Sequence, residues 1–469
     1  MTLQKFVIWI MVCVFTVAGC AQLREGEARK ALEARGIAFT GEAFLDAVKA
    51  GQLDYVRRFL AAGMDVNTGD THGARPGWTP LHWAAYQGDL AIAKVLIAHG
   101  ANINAVDNGF GLRPLHASLV GRGGEVGAIL LKAGADFRTP DRRGHTPLHQ
   151  AAYGGSIVMI EELIRLGVDV NARDKSYRTP LLASLEARRA DVAQLLIRRG
   201  AVIHNDDTGR ACLIEAAKKG FTEIAAVLLS RGVDPDAMPH PGGGTASPLF
   251  WAAREGYIEL VQLLLKHGAS VNAPNVDQHP PLNVAAYSGH TDVVSVLVAK
   301  GADVNARGAS GGNSLTAAAA SDSVDAALLL ISAGAEVDVA NSGGETPLIL
   351  AAKNGKEALV RALLEKGARP NTADKDGRTA LYNALFRGFD SVGLVLIKHG
   401  AGINFATRDG WTPLMAAAAR GLDSIVKLLI DMGADAAAKN GSGQTARDVA
   451  IAYKRFSTAR ILEQVSRKK

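Results

Sequence analysis

Apolar positions recur along most of this chain in a two-helix rhythm, clearest between Trp78 and Asn104. Thr79-Pro80 opens the first helix. A Thr hydroxyl caps an orphan backbone N–H, and Pro at the first helical position forfeits no hydrogen bond. Leu81, Ala84 and Ala85 then make a narrow apolar face that stops at Gly88. Ile92, Val95, Leu96 and Ile97 carry a second helix, closed by Gly100 in the place where a chain turns left-handed. Ala101-Asn102-Ile103-Asn104 leads out into a turn. Such a pair cannot bury its apolar face alone and needs copies of itself on either side.

The chain supplies the copies. A glycine equivalent to Gly100 recurs at 63, 134, 167, 200, 232, 268, 301, 334, 367, 400 and 433, and the later intervals are almost all 33 residues. A fixed period of this size predicts a stacked array. The helix starts repeat as well: TPLH at Thr79–His82 and Thr146–His149, RPLH at Arg113–His116, TPLL at Thr179–Leu182, TPLI at Thr346–Ile349 and TPLM at Thr412–Met415. The exits are similar to GADVNA, clearest at Gly301–Ala306. With these starts and exits the chain resembles the ankyrin-repeat family. The resemblance covers 41–469 and implies an all-α solenoid of about twelve helix-turn-helix repeats, with β-hairpin-like connections and a C-terminal cap.

Departures from the pattern carry their own expectations. The first unit, Ala43–Asn67, lacks the TPLH start, as terminal repeats do where one face meets water. Thr68–Gly77 makes a longer connection, and Arg122-Gly123-Gly124 reads as a looser turn between helices. The units around Ala183–Arg189 and Ala211–Gly220 match less well. The longest insertion is Asp236–Ala246. Its Gly242-Gly243-Gly244 is followed by no P-loop Lys-Ser/Thr and follows no Rossmann strand, so it reads as a hairpin tip. Asn313–Gly334 is Ala- and Ser-rich, with Asp322 where Gly usually sits, and reads as a locally weaker interface. Gly441–Lys469 reads as the cap.

Composition changes the picture little. The 469 residues are 48% hydrophobic but only 6% aromatic, which suits helices packed through Ala, Leu, Val and Ile. The net charge of +6 falls short of a nucleic-acid-binding surface, so no nucleic-acid partner is expected. Three cysteines, Cys13, Cys20 and Cys212, supply no disulfide framework.

The first residues do change it. Lys5 precedes an apolar run from Phe6 to Ala18, short for a membrane span and suited to a signal-peptide core. The run ends in Val17-Ala18-Gly19-Cys20, which looks like a bacterial lipobox, although Val17 departs from the usual Leu. An ordinary cleaved signal and an uncleaved anchor are the alternatives. The resemblance implies a signal peptide over 1–19 and a lipid anchor at Cys20. With Ala21 in place of an inner-membrane-retaining Asp, it implies the outer membrane facing the periplasm. Residues 20–40 read as a tether or a short helix, ahead of the repeat array at 41–469.

Candidate chemistry is sparse. His82, His116 and His149 share one repeat position, but neighbouring packed helices lie about 8–10 Å apart, too far for them to share a metal ion. The family resemblance assigns this His to hydrogen bonds between repeats. There is no HExxH, GxSxG or CxxC. No catalytic residue, metal or cofactor is expected, and an enzyme would need a site built across repeats. Binding is what the resemblance implies, with contacts from hairpin tips and from the first helices. The two residues after each Ala-Ala pair are free of packing duty. They supply Tyr86, Tyr153, Lys218, Arg254, Tyr287, Lys353, Phe386, Arg387 and Arg420. Trp78 and Trp411, just before their helix starts, are expected to face outward, whereas Trp83 and Trp251 are expected in the core. The expectation is a monomeric, lipid-anchored interaction module that scaffolds, inhibits or protects an envelope protein. The alternatives are an enzyme with a site on the concave surface and a structural envelope element with no dedicated partner.

Overall fold

The structure is a computed structural model, and it describes residues 25–71, 75–121, 123–238, 246–321 and 323–466. The signal segment at 1–19, Cys20, Asp322 and the Gly242–Gly244 tip lie outside the described residues. The chain divides between His204 and Asn205 into two compact units. Each is an all-α stack of helix pairs.

In the first unit the pair Pro80–Gln87 and Leu90–Ala98 follows the sequence pattern. Leu81, Ala84, Ala85, Ile92 and Leu96 are buried. Gly88 ends the first helix at φ 79°, and Gly100 follows the second at φ 82°, a region costly for residues with a Cβ. In both units the first helices of neighbouring pairs pack more closely than the second helices. Ala-rich first helices permit that approach.

The connections are tight hairpins crossed by backbone hydrogen bonds. Asp141 N–H donates to the His145 carbonyl at 2.9 Å, and Asp174 N–H to the Arg178 carbonyl at 3.0 Å. The exit asparagines tie one repeat to the next. Asn67 Oδ1 accepts from Asn102 N–H at 2.7 Å, and Asn104 Oδ1 from Asp136 N–H at 2.8 Å. These bonds satisfy backbone donors that the turn leaves over.

Of the two readings of the stretch before the repeats, tether or short helix, residues 25–33 are helical, with Leu32 fully buried and the Arg29 guanidinium 4.2 Å from the Phe39 ring centre. Of the turn expected to be looser, Arg122 lies outside the described residues, and its flanking glycines sit against the preceding repeat. A Cβ at Gly121 would strike the Tyr86 carbonyl, and one at Gly123 the Ala85 carbonyl. These glycines exist for close approach. In the second unit, the Ala-rich helix Ser314–Ala320 packs between Pro281–Ser288 and Pro347–Lys353. Asn313 replaces the Thr cap there, its Oδ1 accepting from Thr316 N–H at 3.0 Å. Among the described residues no helix is long and apolar enough to cross a membrane.

Candidate binding grooves

The shared histidines are structural. The Thr79 N–H donates to His82 Nδ1 at 3.1 Å, so Nε2 carries the proton and donates to the Leu112 carbonyl of the next hairpin at 3.0 Å. His149 repeats this between Thr146 N–H and the Arg178 carbonyl, at 3.2 and 2.9 Å. His116 Nδ1 accepts from Arg113 N–H at 3.3 Å, while its Nε2 faces His145 without hydrogen-bond geometry. Burial lowers His82 and His116 to about 4, outweighing the nearby Asp107 and Asp141 carboxylates, which raise them. Burial also lowers His149. All three are therefore neutral near pH 7, and His82 and His149 donate across to the next hairpin.

A groove of about 350 Å³ in the first unit is lined by Phe110, His145, Gln150, Tyr153, Asp174 and Arg178, among others. His145 Nδ1 lies 3.4 Å from Asp141 Oδ2, and Nε2 lies 3.0 Å from Asp174 Oδ2. Arg178 Nε donates to that same Asp174 oxygen at 2.8 Å. Burial raises both carboxyls, but hydrogen bonds from His145, Arg178 and turn N–H groups outweigh it and hold both below the usual range. Both ring nitrogens of His145 are engaged by protein groups. The cluster ties neighbouring hairpins together. Among the described residues no group of three or more His, Cys, Asp or Glu could hold a metal ion. Tyr153, 53% exposed, stands at the rim.

Trp78 corrects the sequence reading. It is 1% exposed, not outward-facing. Its indole N–H donates to Asp107 Oδ2 at 3.2 Å, and the Arg75 guanidinium covers the ring at 4.1 Å. Tyr86 is half-buried beside it, their ring centres 5.6 Å apart. Trp83 and Trp251 correct it in the other direction. Each is half-buried rather than core, with cations on its ring: Lys49 Nζ at 5.0 Å from Trp83, Lys218 Nζ at 5.0 Å and Arg254 at 5.2 Å from Trp251. Helical spacing carried the signal. Trp83 lies three and four residues before Tyr86 and Gln87, on the face already assigned to solvent, and Trp251 stands likewise to Arg254 and Glu255.

In the second unit a groove of about 540 Å³ runs across the helices Pro248–Glu255, Pro281–Ser288 and Ser314–Ala320. Trp251, Arg254, His279, Asn283, Tyr287 and Asn313 line part of it. Tyr287 is 59% exposed. Lys218 reaches Trp251 while paired to Glu215 at 2.7 Å. Lys353 is held by Glu345 at 2.8 Å. Phe386, Trp411 and Arg420 come together. The two rings meet edge-on at 6.0 Å, Arg420 lies 5.4 Å from the Phe386 ring, and its Nε donates to the Phe386 carbonyl. Trp411 is half-buried against Tyr453, and Arg387 is exposed without joining that cluster.

A family model described as "Ankyrin repeats (3 copies)" matches residues 105–207, 148–239, 238–308, 315–407 and 384–467, and one described as "Ankyrin repeat" matches 76–108. Similar curated proteins include Ankyrin repeat and KH domain-containing protein mask of Drosophila melanogaster, 40% identical over 22% of this chain and 2% of the relative. B-cell lymphoma 3 protein homolog of Mus musculus is 29% identical over 42% of this chain and 38% of its own length. Palmitoyltransferase Hip14 of Drosophila melanogaster is 33% identical over 24% of this chain and 17% of its own length. The chain thus spans well under half of each of these relatives.

Proposed function

The chain belongs to the ankyrin-repeat family, and from that premise we propose that it is a protein–protein interaction module, anchored by a lipid on Cys20 in a bacterial envelope. The observation that carries the binding role is the groove of about 540 Å³ walled by Arg254 and Tyr287. It offers ring surface and a guanidinium on rigid helices. Tyr and Arg are the residue types that concentrate binding energy at interfaces. An acidic or extended segment of an envelope protein fits this chemistry, and the module would hold, inhibit or protect that protein. The anchor rests on Val17-Ala18-Gly19-Cys20 after the apolar run.

Two experiments test the two halves. A photocrosslinker at Tyr287 in cells is expected to capture a defined partner, and Arg254→Ala is expected to reduce that capture. Capture that is unchanged by Arg254→Ala, or spread over many proteins, argues against the groove. Cys20→Ser is expected to abolish acyl labelling and membrane retention. Labelling that persists would remove the anchor and leave the groove untouched.

A further inference from the structure

The side chain of Arg75 is held by rings. Its guanidinium carbon lies 4.1 Å from the centre of Trp78, 4.0 Å from Tyr86 and 5.7 Å from Trp83. The rings meet edge to face, Trp78 with Trp83 at 62° and Trp78 with Tyr86 at 71°, so their faces wall a space instead of covering one another. Asp107, itself buried, accepts the Trp78 indole N–H. That bond fixes the ring and makes its face more electron-rich. Trp78 and Tyr86, with Arg75, Pro76, Phe110 and Val120, line a cavity of about 240 Å³, and Trp83 packs against Trp78 without lining it.

Among the described residues the Arg75 guanidinium rests on these ring faces. A guanidinium carries five N–H donors, and aromatic faces satisfy none of them well. A cation without N–H donors loses nothing in such a site. Aromatic cages bind quaternary ammonium groups because the ring quadrupole attracts the charge while the methyl groups fill the walls. The cavity is smaller than the roughly 300 Å³ at which drug-sized pockets begin, which points to a group of choline size. We propose that Trp78 and Tyr86, with Trp83 packed against Trp78, form a cage for a quaternary ammonium group, and that Arg75 is a built-in plug which the ligand displaces.

The test uses the full chain, calorimetry, and proton NMR of the ligand methyls at constant ionic strength, with tetramethylammonium as the probe. Binding is expected to move the methyl signal upfield through the ring currents. Arg75→Ala is expected to tighten binding about tenfold, since a desolvated cation–π contact is worth on the order of one decade in affinity. Tyr86→Leu is expected to weaken it, with circular dichroism confirming the fold. Methylammonium and a neutral tert-butyl isostere are expected to bind far more weakly. Binding seen only in Arg75→Ala supports the cage but overturns displacement of Arg75 by the ligand. Binding by neither protein overturns the assignment, as do equal binding of the neutral isostere and tighter binding of methylguanidinium. Free choline and phosphatidylcholine vesicles separate the sources of the group. Choline binding alone indicates a soluble ligand, and vesicle capture that choline displaces indicates a lipid headgroup.

Discussion

Acidification should loosen part of the first unit before any carboxylate titrates. His82 and His116 have pKa values of about 4 in the fold, against 6.5 when unperturbed, chiefly because burial disfavours the charged ring. A folded-state pKa below the unfolded one means the unfolded chain binds the proton first. Stability is then full above the unfolded value and declines as pH falls toward the folded value. Between about pH 7.5 and pH 5, each histidine should cost about 2 kcal/mol, the linkage integral for a shift of this size. His149 is shifted the same way and adds to the loss. The depressed carboxylates, such as Asp141 and Asp174, lose their contribution only below the usual carboxylate range. The assay is hydrogen exchange resolved by peptide and corrected for intrinsic rates. Helices Pro80–Gln87, Pro114–Val120 and Pro147–Gly154 should lose local opening free energy across this range. Helices Pro347–Lys353 and Pro413–Arg420, with Ile349 and Met415 at the same repeat position, should change little. Repeats interact mainly with their neighbours, so the loss should stay local. A flat profile in the three histidine helices would refute the reasoning. So would an equal loss in the two control helices.

Other substitutions separate packing from recognition. Gly121→Ala should destabilise the chain by about 1–3 kcal/mol in urea melts, because the added methyl overpacks against the Tyr86 carbonyl. Trp78→Ala should cost about 3–5 kcal/mol, as loss of a buried aromatic does, whereas Tyr287→Ala should stay within about 0.5 kcal/mol of the parent. Equal losses at the two positions would contradict their contrasting burial. Leu32→Ala should cost about 2–4 kcal/mol locally and expose the helix at 25–33 to proteolysis before the repeats, an order readable by limited digestion.

The repeat was legible in the sequence because its interactions are short-range. A cap at Thr79, a face at Leu81, Ala84 and Ala85, and a left-handed Gly100 are each decided within a few residues. Stacking then needs only another copy 33 residues on. His82 belongs with them, since one ring nitrogen caps its own helix and the other reaches the next hairpin at 3.0 Å. The candidate site was legible only in part. The residues after the Ala-Ala pairs do line grooves, as Tyr153, Arg254 and Tyr287 show.

The two tryptophans before the helix starts show what local pattern leaves open. Trp78 and Trp411 occupy one register position, yet Trp78 is enclosed and Trp411 is half-buried. The difference lies in the neighbours each meets: Asp107 from the next hairpin draws in the Trp78 indole and Arg75 from its own hairpin covers it, while Trp411 meets Phe386 and Tyr453 edge-on. His145 likewise gains its role only when Asp174, from the next hairpin, comes within 3.0 Å. Periodicity determines which side chains are released from packing within a repeat. What each of them touches is set by chain brought alongside from elsewhere, and only the tertiary structure decides that.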